Sequence, residues 1–270
     1  MSFEVPGAGA LDEAPCRYGA SRLPVRGPRR SLEQPYVAIL GSSDTYGRFI
    51  DRPFPALIES ALDLPCINLG CANAGVDAFL NDDDLMEISA GAEVTVVQVM
   101  GAQNLTNRYY RVHPRRNDRF LAATPMLSAI YPEVDFTDFH FNKHMLITLH
   151  ALSAERFAAV RRELQSIWVA RMRLLLRKTG QKTLLLWLRY RNAKGPLGAD
   201  PWMVTRDMLA QLEPDADGIL EIPVTLAGPA GETPHMHFGP LQAPAAEQAI
   251  GPVTHSEIAR QLGQALSRAM

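Results

Sequence analysis

The chain has 270 residues, 47% of them hydrophobic and 21% charged, which is typical of a soluble globular protein. The net charge of −2 argues against nucleic-acid and anionic-membrane partners, and no apolar run reaches the roughly 20 residues of a membrane-spanning helix. Three cysteines without a CxxC pair, and an N-terminus without a signal-peptide pattern, predict a cytoplasmic protein.

Residues 1–35 are rich in glycine, proline and arginine, and they predict an N-terminal arm ahead of a single domain over 36–270. The basic segment from Arg22 to Arg30 is broken by prolines, so it does not form a core of its own. It fits a solvated arm on the domain surface. The alternative is an arm that reaches the functional site and contributes an arginine there.

The rest of the chain alternates short apolar runs with helical patterns, which predicts a parallel, doubly wound α/β sheet with right-handed crossovers. We expect a five-stranded, flavodoxin-like three-layer sandwich with a helical insertion over about 121–179. The predicted strands are 36–41, 66–70, 93–100, 182–190 and 219–225. The predicted helices are 53–62, 82–89, 121–131, 137–151, 153–179, 203–212 and 256–269.

The first predicted strand ends abruptly at Gly41, and two serines follow before the chain turns toward a helix. Open α/β sheets bind their ligands at the carboxyl ends of such strands. The sequence Gly41-Ser42-Ser43-Asp44-Thr45-Tyr46-Gly47 resembles the first block of the SGNH (GDSL-like) hydrolase superfamily, Gly-Asp-Ser-x-x-x-Gly. The resemblance places the family's nucleophile on Ser43, and Ser42 stands where the family has aspartate.

Three further blocks of the superfamily are matched in the expected order, over about 36–120 and the last twenty residues. They are Asn68-Leu-Gly70, Gly101-Ala-Gln-Asn104 and Pro252-Val-Thr-His255. Two longer segments around these blocks, 68–75 and 112–120, are similar to an uncharacterised bacterial branch of the superfamily. The fold that the resemblance implies is the same α/β sandwich that the pattern of strands predicts.

The resemblance implies a role for each matched residue. His255 matches the general base that takes the proton of the serine, and the Gly70 N–H matches an oxyanion donor. The amide of Gln103 or Asn104 would complete the oxyanion site. The aspartate that orients the histidine in the family is absent, because Pro252 occupies its position. A backbone carbonyl, Asp44 or Glu257 remains as an alternative orienting group.

A dense polar cluster over 107–119 follows the third block. Arginine forks suit planar anions such as carboxylate, phosphate and sulfate, so we expect an anionic substrate here. A structural salt-bridge loop, with Asp118 and the aspartates at 82–84 as partners, is the alternative. The candidate substrate-binding residues are Arg108, His113, Arg115, Arg116 and Arg119, together with Asn73 after the second strand. One short patch on an acidic chain argues against nucleic acid.

A metal site is the competing interpretation of the histidines. His140 and His144 have helical i, i+4 spacing, and His235 and His237 form a second pair. Joining the two pairs requires a long-range contact that the sequence does not supply, so we expect no metal. Neither Gly-x-Gly-x-x-Gly nor a P-loop is present, so we also expect no nucleotide cofactor.

The sequence therefore predicts a serine-dependent acyl-ester hydrolase or acyltransferase that acts on an anionic small, sugar-linked or lipid-linked substrate. A sulfuryl- or glycosyl-type group transferase is one alternative. A non-catalytic binding module derived from the SGNH fold is the other. The long helix over 153–179 has an apolar face that suits either the core or a second copy, which leaves a homo-oligomer open.

Overall fold

The computed structural model describes residues 15–180, 182–191, 195 and 197–270. Its strands, in chain order, are β1 Val37–Gly41, β2 Cys66–Gly70, β3 Val94–Gln98, β4 Tyr110–His113, β5 Arg116–Ala123, β6 Thr183–Tyr190 and β7 Gly218–Val224. Five of these strands form one parallel sheet in the order β2-β1-β3-β6-β7. The other two, β4 and β5, form an antiparallel hairpin.

The helices lie on both faces of this sheet. They are α1 Ser43–Tyr46, α2 Phe54–Leu62, α3 Val76–Leu80, α4 Asp83–Ala90, α5 Pro125–Ile130, α6 Asn142–Leu152, α7 Ala154–Lys178, α8 Arg206–Ala210, α9 Ala227–Ala230, α10 Ala243–Glu247 and α11 Pro252–Ala269. Short 3-10 turns occupy Phe136–Asp138, Glu213–Asp215, Thr233–His235 and Pro240–Gln242. None of the helices among these described residues is both long and apolar enough to cross a bilayer.

The strand sequences explain the layers, because every residue of β1 and β3 is buried. Alternate side chains of β1 point to opposite faces of the sheet. Ala38 and Leu40 join one hydrophobic cluster with α3, α4 and α7, and Val37 and Ile39 join another with α2 and α11. A sheet covered on both faces confirms the predicted α/β class and the five-stranded parallel sheet.

The arginine-rich stretch after β3 departs from the prediction, since it forms the β4–β5 hairpin. Its core-facing residues are Tyr110, Val112 and Phe120, which are buried, while most of the intervening residues are polar. The alternation is thus present in the sequence but interrupted by bulges. Because β5 extends to Ala123, the predicted helix at 121–131 shortens to α5.

The arm over 15–35 is held against the domain by specific contacts. An isolated antiparallel bridge joins Cys16 and Val25, and the Ser21 hydroxyl donates to Asp82 at 2.7 Å. Arg26 is only 6% exposed, and its guanidinium donates to the carbonyls of Gly47 and Ile50, both at 2.9 Å. The arm therefore contributes a buried arginine under the loop after α1. Residues 1–14 of the predicted arm lie outside the described residues.

Candidate active site

The candidate site lies at the carboxyl edge of the sheet, where β1 has β2 on one side and β3 on the other. The chain order reverses direction at this point, and open α/β sheets place their ligands at such a switch. Ser43 is the first residue of α1, and only Ser42 separates it from the end of β1. The α1 helix ends at Gly47, whose φ of 68° is left-handed, so a sharp turn brackets the serine on both sides.

Gln98 at the end of β3 fixes the turn that carries Ser43. Its Oε1 accepts from the Ser42 N–H at 3.0 Å and from the Thr45 hydroxyl at 2.7 Å. Its Nε2 donates to Asp44 Oδ2 at 2.8 Å. Gly41 permits this approach, because a Cβ there would lie 2.4 Å from Gln98 Oε1. The sequence analysis did not single out Gln98, although a glutamine inside a buried apolar strand is a readable signal.

Ser43 and Asn73 exchange two hydrogen bonds. The Asn73 N–H donates to Ser43 Oγ at 3.0 Å, and Ser43 Oγ donates to Asn73 Oδ1 at 3.2 Å. Asn73 has a φ of 60°, a left-handed conformation that asparagine tolerates better than most residues. The predicted substrate-binding residue Asn73 is therefore in direct contact with the predicted nucleophile, and it presents a backbone N–H to it.

The predicted oxyanion donor Gly70 has its N–H already engaged. That N–H donates to Asn68 Oδ1 at 2.8 Å, while Asn68 Nδ2 donates to the Thr45 carbonyl at 2.8 Å. Gly70 also lies against α1, since a Cβ on it would meet Tyr46 N at 2.3 Å. In this arrangement Gly70 and Asn68 tie the end of β2 to the Ser43 helix, and the Gly70 N–H does not point to a ligand.

Of the two predicted amide donors, Asn104 is tied to the serine region. Its Nδ2 donates to the Asn73 carbonyl at 3.5 Å, and its Oδ1 accepts from Asn142 at 3.2 Å. Gln103 folds back on Gly101, and its Oε1 is buried without a hydrogen-bond partner among the described residues. Asn104 is thus the better placed of the two to present an N–H beside Asn73.

His255 lies in the first turn of α11, which begins at Pro252 rather than at the predicted residue 256. The ring is 1% exposed, and its Nδ1 accepts from the Phe54 N–H at 3.1 Å. Desolvation by burial, with the nearby Arg26 charge adding to it, lowers the pKa of His255 to about 3. The ring is therefore neutral at physiological pH, and its proton resides on Nε2 because Nδ1 is an acceptor.

The two carboxylates considered as orienting groups for His255, Asp44 and Glu257, are hydrogen-bonded to other side chains. Asp44 bonds with Gln98 and with Tyr190, while Glu257 accepts from Arg260 at 2.6 Å and from Gln261. The group on Nδ1 of His255 is thus a backbone donor, whereas a triad places an acceptor there. This is the largest departure of the site from the arrangement that the resemblance implies.

Ser43 and His255 nevertheless line one cavity of about 230 Å³. Asp44, Asn73 and the segment from Ala245 to Ile250 contribute the rest of its wall, together with Gly47, Arg48 and Phe49. A serine hydroxyl, an imidazole and a carboxylate therefore share one small cavity at the switch point of the sheet. The local chemistry suits a compact electrophile such as an ester carbonyl.

Behind Asp44 lies a polar cluster that the sequence analysis missed. The Tyr190 hydroxyl bonds the Asp44 carboxylate, and Asp200 is close enough for its charge to raise the pKa of Tyr190. Desolvation raises the pKa of Asp44 and raises that of Asp200 to about 6, although Lys143 opposes the shift at Asp200. Both carboxyls therefore hold their protons to a higher pH than free aspartate.

The predicted arginine cluster divides in two. Arg108 forms an ion pair with Glu163 at 2.8 Å and does not line a cavity with the others. The remaining members line a cleft of about 800 Å³, here called the basic cleft, which Asn73 joins to the Ser43 cavity. The basic cleft is lined by Arg17, Arg22, Tyr46, Cys71, Asn73, His113, Arg115, Arg116, Asp118, Arg119 and Phe141, with Pro15, Pro24 and Ala72.

The histidines of the competing metal interpretation do not come together. Within the described ranges, no three His, Cys, Asp or Glu side chains form a group that could hold a metal ion. His144 packs edge-on against Phe139, with 5.0 Å between ring centroids. The side chain of His113 serves the turn between β4 and β5, where its Nδ1 accepts from the Arg115 and Arg116 N–H groups at 3.2 Å.

Two solved structures resemble this fold at low sequence identity. A carbohydrate esterase family 2 enzyme with a carbohydrate-binding domain, from Corynascus thermopiles (Myceliophthora fergusii), is 11% identical with a TM-score of 0.47, over 90% of this chain and 69% of that one. An extracellular lipase from Streptomyces rimosus is 13% identical with a TM-score of 0.42, over 88% of this chain and 100% of that one. No curated protein sequence matches the chain. A family model described as a domain of unknown function, DUF6473, matches residues 1–270, and the chain therefore belongs to that family.

Proposed function

We propose that Ser43 carries out acyl-ester chemistry, as a hydrolase or an acyltransferase, on an anionic substrate. The observation that carries the proposal is the shared cavity of Ser43 and His255 at the switch point of the sheet. The Asn73 N–H supports it, because it donates to Ser43 Oγ at 3.0 Å and so holds the nucleophile beside a backbone donor.

The reaction begins with attack of Ser43 Oγ on the ester carbonyl carbon, and the C–O bond to the alcohol then breaks. The proposed oxyanion donors are the Asn73 N–H and the Asn104 amide, in place of the Gly70 N–H, and each must leave its present acceptor, Ser43 Oγ and the Asn73 carbonyl respectively. Water completes hydrolysis of the acyl-serine, whereas a second alcohol completes transfer. Both outcomes leave Ser43 regenerated and the proton on the departing alcohol.

His255 is the proposed proton acceptor, and its surroundings make it a weak one. To accept at Nε2, the ring must carry its proton on Nδ1, which displaces the Phe54 N–H from its acceptor. An unpaired buried N–H costs about 1–3 kcal/mol. In addition, no carboxylate in the described part of the chain stabilises the imidazolium, consistent with a pKa of about 3. We therefore expect slow turnover, with a strong dependence on substrate binding in the basic cleft.

The tautomer of His255 in the structure, with its proton on Nε2, cannot accept the serine proton there. This observation favours a second candidate function, a binding module that keeps the cleft and has lost catalysis. In that case Ser43 and Asn73 serve only to bind the ligand. The sulfuryl- or glycosyl-transfer alternative has no observation of its own in its favour.

Turnover of an anionic aryl ester, 4-acetoxybenzenesulfonate, tests the proposal, with 4-nitrophenyl acetate as the neutral counterpart. The wild type should exceed the uncatalysed rate, Ser43→Ala should fall to that rate, and Ser42→Ala should retain activity because only the Ser42 backbone is engaged. His255→Asn should lower the rate by less than about 10²-fold, because the buried ring is a weaker base than the general bases that contribute that factor. Equal rates for the wild type and Ser43→Ala would leave the binding module as the function.

A further inference from the structure

The geometry points to a ligand for the basic cleft that carries at least two negatively charged groups on a non-aromatic scaffold, such as an acidic oligosaccharide. This inference names the substrate class of the proposed function and rests on it for the reaction. The cleft reaches the nucleophile through Asn73, which lines both cavities. A ligand seated there can present one of its esters to Ser43.

One wall of the cleft is a loop of the arm that carries Arg17 and Arg22. The loop is closed by the bridge between Cys16 and Val25 and is fixed to the domain at two further points. The Ser21 hydroxyl donates to Asp82 at 2.7 Å, and the Ala20 N–H donates to Asp84 at 3.1 Å. Asp82 and Asp84, two of the aspartates considered earlier as partners of the arginines at 107–119, thus anchor the arm.

The opposite wall is the turn between β4 and β5, and it is held just as firmly. Asn117 is fully buried, and its Oδ1 accepts from the Gly75 and Ala78 N–H groups, both at 3.0 Å. Its Nδ2 donates to the His113 carbonyl at 3.0 Å. The hydrogen bonds of Asn117 therefore hold the β4–β5 turn against the segment that follows Asn73. Two preformed walls, each carrying arginines, face one space.

The charge in that space is unbalanced. Five guanidinium groups line the cleft against one carboxylate, Asp118. None of the five belongs to an ion pair among the described residues, whereas Arg30, Arg108, Arg156, Arg173 and several others do. Unpaired like charges repel one another, and an anion that bridges the two walls removes that repulsion. The five guanidinium groups come from two separate segments, the arm and the β4–β5 hairpin, so we infer a ligand with at least two anionic groups.

The aromatic rings of the cleft argue against stacked bases. Tyr46 is 6% exposed, and the Arg26 guanidinium lies 5.7 Å from its ring centroid. Arg119 lies 5.7 Å from the Phe141 centroid. Single-stranded nucleic acid is bound on successive open aromatic faces, and of the two rings here only Phe141, which is 45% exposed, offers one. A volume of about 800 Å³ is at the upper end of small-molecule sites and admits an oligosaccharide.

Isothermal titration with sucrose octasulfate tests the inference, with sucrose as the uncharged counterpart. The Arg17→Gln/Arg115→Gln variant removes one arginine from each wall. The Arg162→Gln/Arg268→Gln variant is the matched control, since it removes the same charge from two exposed helical positions outside the cleft. We expect octasulfate binding without sucrose binding, about 30-fold weaker affinity in the cleft variant, and wild-type affinity in the control.

Three results would overturn the inference. The first is an equal loss of affinity in both arginine variants, which marks non-specific attraction. The second is displacement of the octasulfate by inorganic sulfate at the same sulfate concentration and ionic strength, which marks a single-anion site. The third is equally tight binding of oligothymidylate, which marks a nucleic-acid groove. The titration involves no turnover, so the two proposals fail separately: octasulfate binding by a wild type that hydrolyses no ester would retain this inference and overturn only the proposed reaction.

Discussion

The backbone N–H of Phe54 donates to Nδ1 of His255 over 3.1 Å, and the two rings stack with 5.8 Å between centroids. The contact joins the start of α2 to the start of α11, and these helices pack on the same face of the sheet. His255 is thus a structural residue of that face as well as the candidate base. Because the ring is buried and neutral, its protonation links the stability of the protein to pH.

Acid should destabilise the protein through His255. The pKa of this ring is about 3 in the folded chain and about 6.5 in the unfolded chain, so the unfolded state binds the extra proton between these values. The stabilisation is complete above pH 6.5 and is lost as the pH falls toward 3. His255→Asn keeps an acceptor near the Phe54 N–H without this titration. Urea unfolding from pH 7 to 4 should show a shallower loss in the variant, by on the order of 3 kcal/mol; parallel curves would contradict the assignment.

Gln98→Glu should make stability fall as the pH rises. The change replaces the amide that donates to Asp44 with a second carboxylate and keeps the acceptor for Ser42 and Thr45. Two adjacent carboxylates raise the pKa of one of them, so the folded state binds more protons than the unfolded state above pH 5. We expect a loss of about 2–3 kcal/mol at pH 8 that recovers near pH 5. Gln98→Met removes the same amide bond to Asp44 but adds no charge, so its loss of stability should differ less between the two pH values.

Gly70→Ala should displace the nucleophile helix. A methyl group there would lie 2.3 Å from Tyr46 N and 2.6 Å from the Thr45 carbonyl carbon, both backbone atoms. We expect a cost of about 3 kcal/mol and loss of Ser43 reactivity. Gly263→Ala is the control, because nothing lies within 4 Å of its Cβ position and it is inside α11, so it should stabilise by about 0.5–1 kcal/mol. Equal effects of the two changes in thermal unfolding would contradict the packing of α1 on β2.

Asn117→Ala should destabilise the chain by about 2 kcal/mol, because it leaves the Gly75 N–H without its acceptor and the Ala78 N–H with only its bond to the Gly75 carbonyl at 3.2 Å. Asn81→Ala, at an exposed position with one local bond to the Asp77 carbonyl, should cost less than about 1 kcal/mol. Denaturant midpoints measure both. Hydrogen exchange should also rise at β4 and β5 in the Asn117 variant, and unchanged exchange there would mean that Asn117 does not dock the hairpin.

The sheet was predictable because its strands are continuous apolar runs that end in glycine or polar residues. The run from Cys66 to Gly70 forms β2 with those bounds, and Thr183–Tyr190 differs by one residue from the prediction. The β4–β5 hairpin was missed because arginines dominate it, and its buried residues are separated by bulges. Helix boundaries shifted where capping, not periodicity, decides them, as at Pro252 in the first position of α11.

The site was predictable only in part. The turn after a buried strand singled out Ser43, and the segment after β2 singled out Asn73, but their mutual contact depends on the left-handed backbone at Asn73. The Gly70 N–H donates to Asn68 because of the rotamer of the Asn68 side chain, and a sequence motif carries no information about rotamers. The tautomer of His255 depends on Phe54, 201 positions away in the chain. Contacts of this kind arise from the folded core and carry no local sequence signal.

Intact mass after incubation with a fluorophosphonate tests the central claim most directly, since this reagent reports an activated serine. We predict a single adduct on the wild type, no adduct on Ser43→Ala, and a wild-type adduct on Ser42→Ala. Circular dichroism of each variant establishes that the chain is folded. A folded wild type that takes up no adduct, or a Ser43→Ala variant that still does, would contradict a nucleophilic Ser43.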